Sequence, residues 1–187
     1  MAFALSRIQE SLLLMVDLQE GLFRAMPKEE GARMVATVRM LVQAAARLGI
    51  PVVVTEQYPK GLGPTLPEIG ELLPPGSRRF EKRVFSALKR AELRELLLTL
   101  PNRRQVIVVG MEAHVCILQT VADLLDGGWI PFVVADGICS RDPERKLYAL
   151  DRMERGGAVI TCGESVVFEW LESADHPRFK EIVALIR

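Results

Sequence analysis

The sequence predicts an α/β protein with three layers, α/β/α, built on a central parallel sheet of about six strands. Short apolar, β-branched runs such as Pro51-Val52-Val53-Val54-Thr55 and Val106-Ile107-Val108-Val109 recur along the chain. They are apolar at every residue rather than every second one, as strands covered on both faces are. Between them lie longer stretches whose apolar residues recur at helical spacing. This βα alternation implies parallel pairing with helices on both faces. At 187 residues, residues 1–187 form one domain with a full core.

Leu12 to Asp17 reads as the first strand. Glu29 to Leu48 is a helix, with Val35, Val38, Leu41, Val42 and Ala45 on one face and Gly49 as its stop. Pro51 to Thr55 is the second strand. Pro59 to Ser77, rich in Gly and Pro, is a long loop with room for one helical turn at Pro67 to Leu72. Phe80 to Lys82 is a short third strand, and Leu88 to Leu98 is helical. Gln105 to Gly110 is a strand and His114 to Leu125 a helix. Phe132 to Ala135 is a strand, Pro143 to Arg155 a helix capped by Asp142, and Ala158 to Thr161 the last strand. Helical segments at Ser165 to Leu171 and Pro177 to Leu185 close the chain.

Composition narrows the function. The hydrophobic fraction is 49% and the formal net charge is zero, which argues against disorder and gives no electrostatic case for nucleic acid or a membrane surface. The apolar run Leu12 to Val16 is cut short by Asp17 and has no signal-peptide anatomy, and no apolar segment is long enough to span a bilayer. Cys116, Cys139 and Cys162 are an odd number, widely spaced, and point to reduced thiols in a cytoplasmic setting.

The chemistry of a parallel sheet gathers at the carboxyl ends of its strands. There the sequence places Asp17, Glu56-Gln57-Tyr58, Lys82, the stretch from Glu112 to Cys116, Asp136 and Cys162. The stretch Gly110-Met111-Glu112-Ala113-His114-Val115-Cys116 turns out of a buried strand and delivers one thiol to the start of a helix. The helix dipole and Lys82 should together lower the pKa of Cys116 and make it the reactive cysteine, ahead of Cys139 and Cys162. Asp17 ends a buried strand, where a carboxylate must be paired or functional. Asp, Lys and Cys can supply base, cation and nucleophile. His114, two residues before Cys116, suits a structural or pocket-edge role better than that of a base.

In these motifs the chain resembles the isochorismatase-like cysteine hydrolases, which include nicotinamidases and N-carbamoylsarcosine amidases. The resemblance rests on Val16-Asp17-Leu18-Gln19, Glu81-Lys82-Arg83-Val84-Phe85-Ser86-Ala87, the Gly110 to Cys116 stretch, and Ala135-Asp136-Gly137-Ile138-Cys139-Ser140-Arg141. Thr55 to Gly63 and Asp175 to Lys180 look closest to the isochorismatase-domain-containing branch. The resemblance implies Cys116 as nucleophile, Asp17 as general base and Lys82 as the charge-stabilising cation. It implies an oxyanion hole from the backbone N–H groups of Glu112 and Cys116, with a cis Met111–Glu112 bond. Gln19, Phe23, Gln57 and Tyr58 are candidate substrate-binding residues.

The nicotinamidase zinc ligands, Asp-x-His after the second strand and a further His, have no counterpart. Glu56-Gln57-Tyr58 stands there, and His114 and His176 are the only histidines. No metal and no cofactor is expected. The implied activity is hydrolysis of an amide or related C–N bond of a small molecule through a Cys116 acyl-thioester. The alternative is a non-catalytic interaction protein that keeps the fold. A dinucleotide-binding Rossmann domain is excluded because no Gly-x-Gly-x-x-Gly follows a strand. Trp129, in a turn, and the segment Val166 to Leu171 are expected to be exposed and to serve a homo-oligomer, dimer or higher.

Overall fold

The run Ser11–Val16 is buried at every residue and forms β1, with successive side chains serving opposite layers. Leu13 and Met15 pack under one set of helices, while Leu12, Leu14 and Val16 pack under the other. The structure, a computed structural model, describes residues 4–100 and 102–186. Among these, β1 is joined by β2 (Val52–Gln57), β3 (Arg78–Lys82), β4 (Gln105–Met111), β5 (Ile130–Cys139) and β6 (Val159–Thr161). All pair in parallel, in the order β3-β2-β1-β4-β5-β6. The strand order reverses between β1 and β4, which is where doubly wound sheets open a crevice for ligands.

The helices are α1 (Glu20–Phe23), α2 (Lys28–Leu48), α3 (Pro59–Leu62), α4 (Pro67–Gly70), α5 (Ala91–Leu98), α6 (Leu118–Asp126), α7 (Pro143–Arg155), α8 (Gly163–Leu171) and α9 (Phe179–Val183). One core layer joins the sheet to α2 and α8; the other joins it to α5, α6 and α7. The three-layer sheet read from the sequence is therefore the observed architecture. Gly49 ends α2 in the left-handed conformation, and the Asp142 side chain caps α7 by accepting from the Glu144 N–H.

Local departures have local causes. The loop from Pro59 to Ser77 holds two short helices, α3 and α4, each started by a proline. The helix expected from Leu88 begins as a 3₁₀ turn, Ala87–Lys89, before α5. The helix after β4 begins as a π turn, Ala113–Ile117. β5 runs past Ala135 because a register shift lets Ile138 and Cys139 pair again with Gly110 and Met111.

Two expectations of exposure are corrected. Trp129 is buried in the layer of α5, α6 and α7. Its ring folds back over Gly127, where an added Cβ would lie 2.2 Å from the indole. On α8, Val166, Val167, Trp170 and Leu171 face the core, and the Trp170 indole N–H donates to the Ser11 hydroxyl at 2.9 Å. Only Phe168 of the apolar residues in that segment is exposed.

Candidate active site

Gly110 makes the crevice possible. It pairs with Val16, has φ of +128°, and a Cβ there would sit 1.9 Å from the Val16 carbonyl oxygen. Only glycine lets the two strands approach this closely. Asp17 then leaves β1 on one side of the reversal, while Cys116 follows β4 on the other.

Asp17 has φ of +53°, a conformation that costs energy for any residue but glycine and gathers at functional sites. Its carboxylate is wholly buried. One oxygen accepts from the Thr55 hydroxyl at 2.8 Å, and the other from Lys82 Nζ at 2.6 Å. Lys82 Nζ also donates to Gln57 Oε1 at 2.8 Å and to the carbonyls of Phe85 at 2.9 Å and Val84 at 3.3 Å. The two charges are thus paired and hydrogen-bonded, the condition for holding ions out of water.

Cys116 is buried against the same pair. Burial first, then the negative charge of Asp17, push its thiol up to about 12, against the opposing pull of Lys82. This corrects the expectation of a lowered pKa. The expected helix N-terminus is a π turn, and the loss of solvent outweighs the one nearby cation. Asp17 and Lys82 are the charged groups beside the sulfur. The Met111–Glu112 bond is cis. Glu112 Oε2 lies 3.5 Å from His114 Nε2 and Glu112 Oε1 lies 3.7 Å from Arg141 Nη1, while His114 Nδ1 is 3.0 Å from Ser140 Oγ. His114 therefore faces Glu112 and Ser140.

The remaining candidates lie around this cluster in different ways. Gln19 is buried and spends its amide on backbone, donating to the Gln57 and Gly63 carbonyls and accepting from the Gln57 N–H. Phe23 packs against the α2 layer. Gln57 touches Lys82, and Tyr58 lines a cleft of about 540 Å³ beside the cluster, together with Lys82. Cys116 is not in the wall of that cleft. Thr55 was missed at the level of sequence, although one hydroxyl ending the apolar run Val52-Val53-Val54 is a readable signal. Asp136 is a strut that accepts from the Gly163 N–H at 2.8 Å and the Thr37 hydroxyl at 3.2 Å. Glu56 closes the loop after α3 by accepting from the Thr65 N–H and hydroxyl, at 2.9 and 2.6 Å.

Fold and cluster together define a doubly wound α/β protein with buried acid, lysine and thiol at its switch point. The chain belongs to the isochorismatase domain family, whose model matches residues 11–165. Isochorismatase domain-containing protein 2 of Xenopus laevis is 38% identical over 181 residues, covering 95% of this chain and 84% of that protein. A solved structure described as the MAR1 ribonuclease of Caenorhabditis elegans superposes with a TM-score of 0.92 at 38% identity, covering 98% of this chain and 92% of its own. The YcaC gene product of Escherichia coli, described as an octameric hydrolase of unknown specificity, has a TM-score of 0.88 at 20% identity, covering 100% of this chain and 89% of its own, and shows the shared fold. No helix among the described residues is long and apolar enough to cross a membrane.

Proposed function

We propose that this chain is a cysteine hydrolase that cleaves an amide or related C–N bond of a small molecule. The observation that carries this reading is the meeting of Cys116 with the buried Asp17–Lys82 pair, the ion pair closing at 2.6 Å. Asp17 takes the Cys116 proton as sulfur attacks the acyl carbon, so no free thiolate has to accumulate. Lys82 steadies the anionic charge at the sulfur and holds the Asp17 carboxylate in place. The backbone N–H groups of Glu112 and Cys116 receive the oxyanion of the tetrahedral intermediate. The C–N bond breaks, the amine leaves with the proton held by Asp17, and an acyl-thioester remains. Water, losing a proton to Asp17, then releases the acid and restores the thiol.

The test is a panel of small amides and carbamoyl compounds assayed for ammonia release, with wild type, Cys116→Ala and Asp17→Asn, each with and without EDTA. The expected result is turnover by wild type alone, indifferent to chelator. Because the nematode relative is described as a ribonuclease, single-stranded RNA belongs in the panel. Turnover that survives Cys116→Ala, on any substrate, would overturn the reading.

We also propose a cytoplasmic homo-oligomer, dimer or higher. Its support is the set of exposed apolar side chains Val84, Phe85, Leu147, Tyr148 and Phe168. Sedimentation equilibrium giving a mass of 20.8 kDa at all micromolar concentrations would dismiss it.

A further inference from the structure

We infer that the cleft at the β3 edge of the sheet is an anion-binding subsite, which takes the phosphate or carboxylate group of a small ligand. The zero net charge of the chain conceals an uneven distribution. Residues 78–90 hold six Arg or Lys, namely Arg78, Arg79, Lys82, Arg83, Lys89 and Arg90, against the single acid Glu81. The part from Glu81 onward borders a concave space of about 540 Å³, a volume suited to a small molecule, with Arg78 and Arg79 outside its wall. Lys60, Arg83, Lys89 and Arg90 line it, and Glu81 is the one carboxylate in its wall.

Two of these cations lack a carboxylate partner among the described residues. Lys89 bridges to Asp123 at 3.2 Å and Arg90 to Glu92 at 2.8 Å, whereas Lys60 and Arg83 form no such bridge. Arg83 is also held in place. Its guanidinium carbon lies 4.2 Å from the centre of the Tyr58 ring. Tyr58 itself is fixed, with φ of +38°, its N–H donating to the Lys82 carbonyl at 2.9 Å. Its ring lies so close over Gly61 that a Cβ there would be 2.5 Å away. A stacked guanidinium keeps its planar fork of donors, the geometry that matches phosphate and carboxylate oxygens. Tyr58 thus holds an unpaired cation in the wall of the cleft.

The subsite is tied to the buried cluster through Gln57 and Lys82. The Gln57 amide donates to the Arg83 carbonyl at 3.0 Å and accepts from Lys82 Nζ at 2.8 Å. Lys82 itself also borders the cleft, so the subsite and the Asp17–Lys82 pair share one residue. Assigning that anion to the substrate rests on the hydrolase reading; the subsite itself does not.

The test is isothermal titration with inorganic pyrophosphate and, separately, citrate at low ionic strength. It uses Cys116→Ala protein, so that binding is read without turnover. Saturable binding of at least one anion is expected, weakened about tenfold or more by Arg83→Gln and by Lys60→Gln, and unchanged by Arg33→Gln on the distant α2 surface. Pyrophosphate alone marks a phosphate subsite, and citrate alone a carboxylate one. Thermal melting checks that each exposed-site variant is folded. No saturable binding, or equal weakening by Arg33→Gln, would overturn the inference. Binding that tightens with the length of a single-stranded RNA would also overturn it, in favour of a polyanion surface. Failure of the hydrolase reading would instead appear as absent turnover with anion binding intact.

Discussion

Lys82 Nζ lies 2.6 Å from Asp17 Oδ2, and both side chains are fully shielded from solvent. The second Asp17 oxygen is taken by Thr55, and Lys82 is further held by Gln57 and the Phe85 carbonyl. A pair satisfied this fully tolerates burial, but neither charge tolerates the loss of the other. Lys82→Met is expected to cost about 3–5 kcal/mol of stability by stranding the carboxylate. Asp17→Asn added to Lys82→Met should cost less than the sum of the two changes, because the second removes the stranded charge. Urea unfolding of the four proteins gives the coupling directly; simple additivity would show that the pair is energetically idle.

The Cys116 thiol ties stability to alkaline pH. Its pKa is raised to about 12 in the fold, by burial first and by Asp17 second, from the ordinary value of 9.0. A raised pKa means that the folded protein keeps its proton after the unfolded chain has begun to lose it. The contribution is complete below pH 9.0 and is lost progressively as pH rises towards 12. Urea unfolding at steps from about pH 8 to pH 10.5 should show wild type losing stability more steeply than Cys116→Ala. Parallel curves would mean that the thiol ionises as readily in the fold as out of it.

The same burial sets the order of chemical labelling. Cys162 is exposed, whereas Cys116 and Cys139 are buried, and burial raises both of the latter. Iodoacetamide at neutral pH is expected to reach Cys162 first in the unliganded protein, reversing the order read from sequence. Labelling of Cys116 should accelerate with pH well beyond neutrality. Peptide mapping with Cys116 modified first at neutral pH would contradict this.

Two glycines separate backbone strain from steric closure. Gly49 has φ of +69° with nothing within 4 Å of an added Cβ, so Gly49→Ala is expected to cost about 1 kcal/mol. At Gly110 the added carbon would strike the Val16 carbonyl at 1.9 Å, so Gly110→Ala should forfeit about 4 kcal/mol or more, or fail to fold. Similar melting temperatures for the two variants would refute the close approach of β1 and β4.

Much of this was legible because it is written in local pattern. The run Leu12 to Val16 could only be a buried strand, and an Asp directly after it had to be answered by a partner. The thiol following Val106 to Gly110 stood at a strand end for the same reason. What escaped depends on contacts distant in sequence. Trp129 looked exposed because nothing in its turn announces that the ring folds over Gly127 into the core. The raised thiol of Cys116 follows from its burial in the layer of α5, α6 and α7 and from Asp17 beside it, which spacing does not encode. The basic cleft vanished into a total that cancels acids and bases over the whole chain.

The pairing of Val16 with Gly110 also decides when the proposed site can come together. Asp17 and Lys82 lie within the first 82 residues, and the Cys116 sulfur follows only at position 116. In chain order the Asp17–Lys82 pair is complete before the thiol is reached. Cys116 meets Asp17 only where β4 lies beside β1, and both side chains are buried there. On the proposed mechanism, a chain whose sheet is incomplete holds its acid and its thiol apart, and closing the sheet unites them.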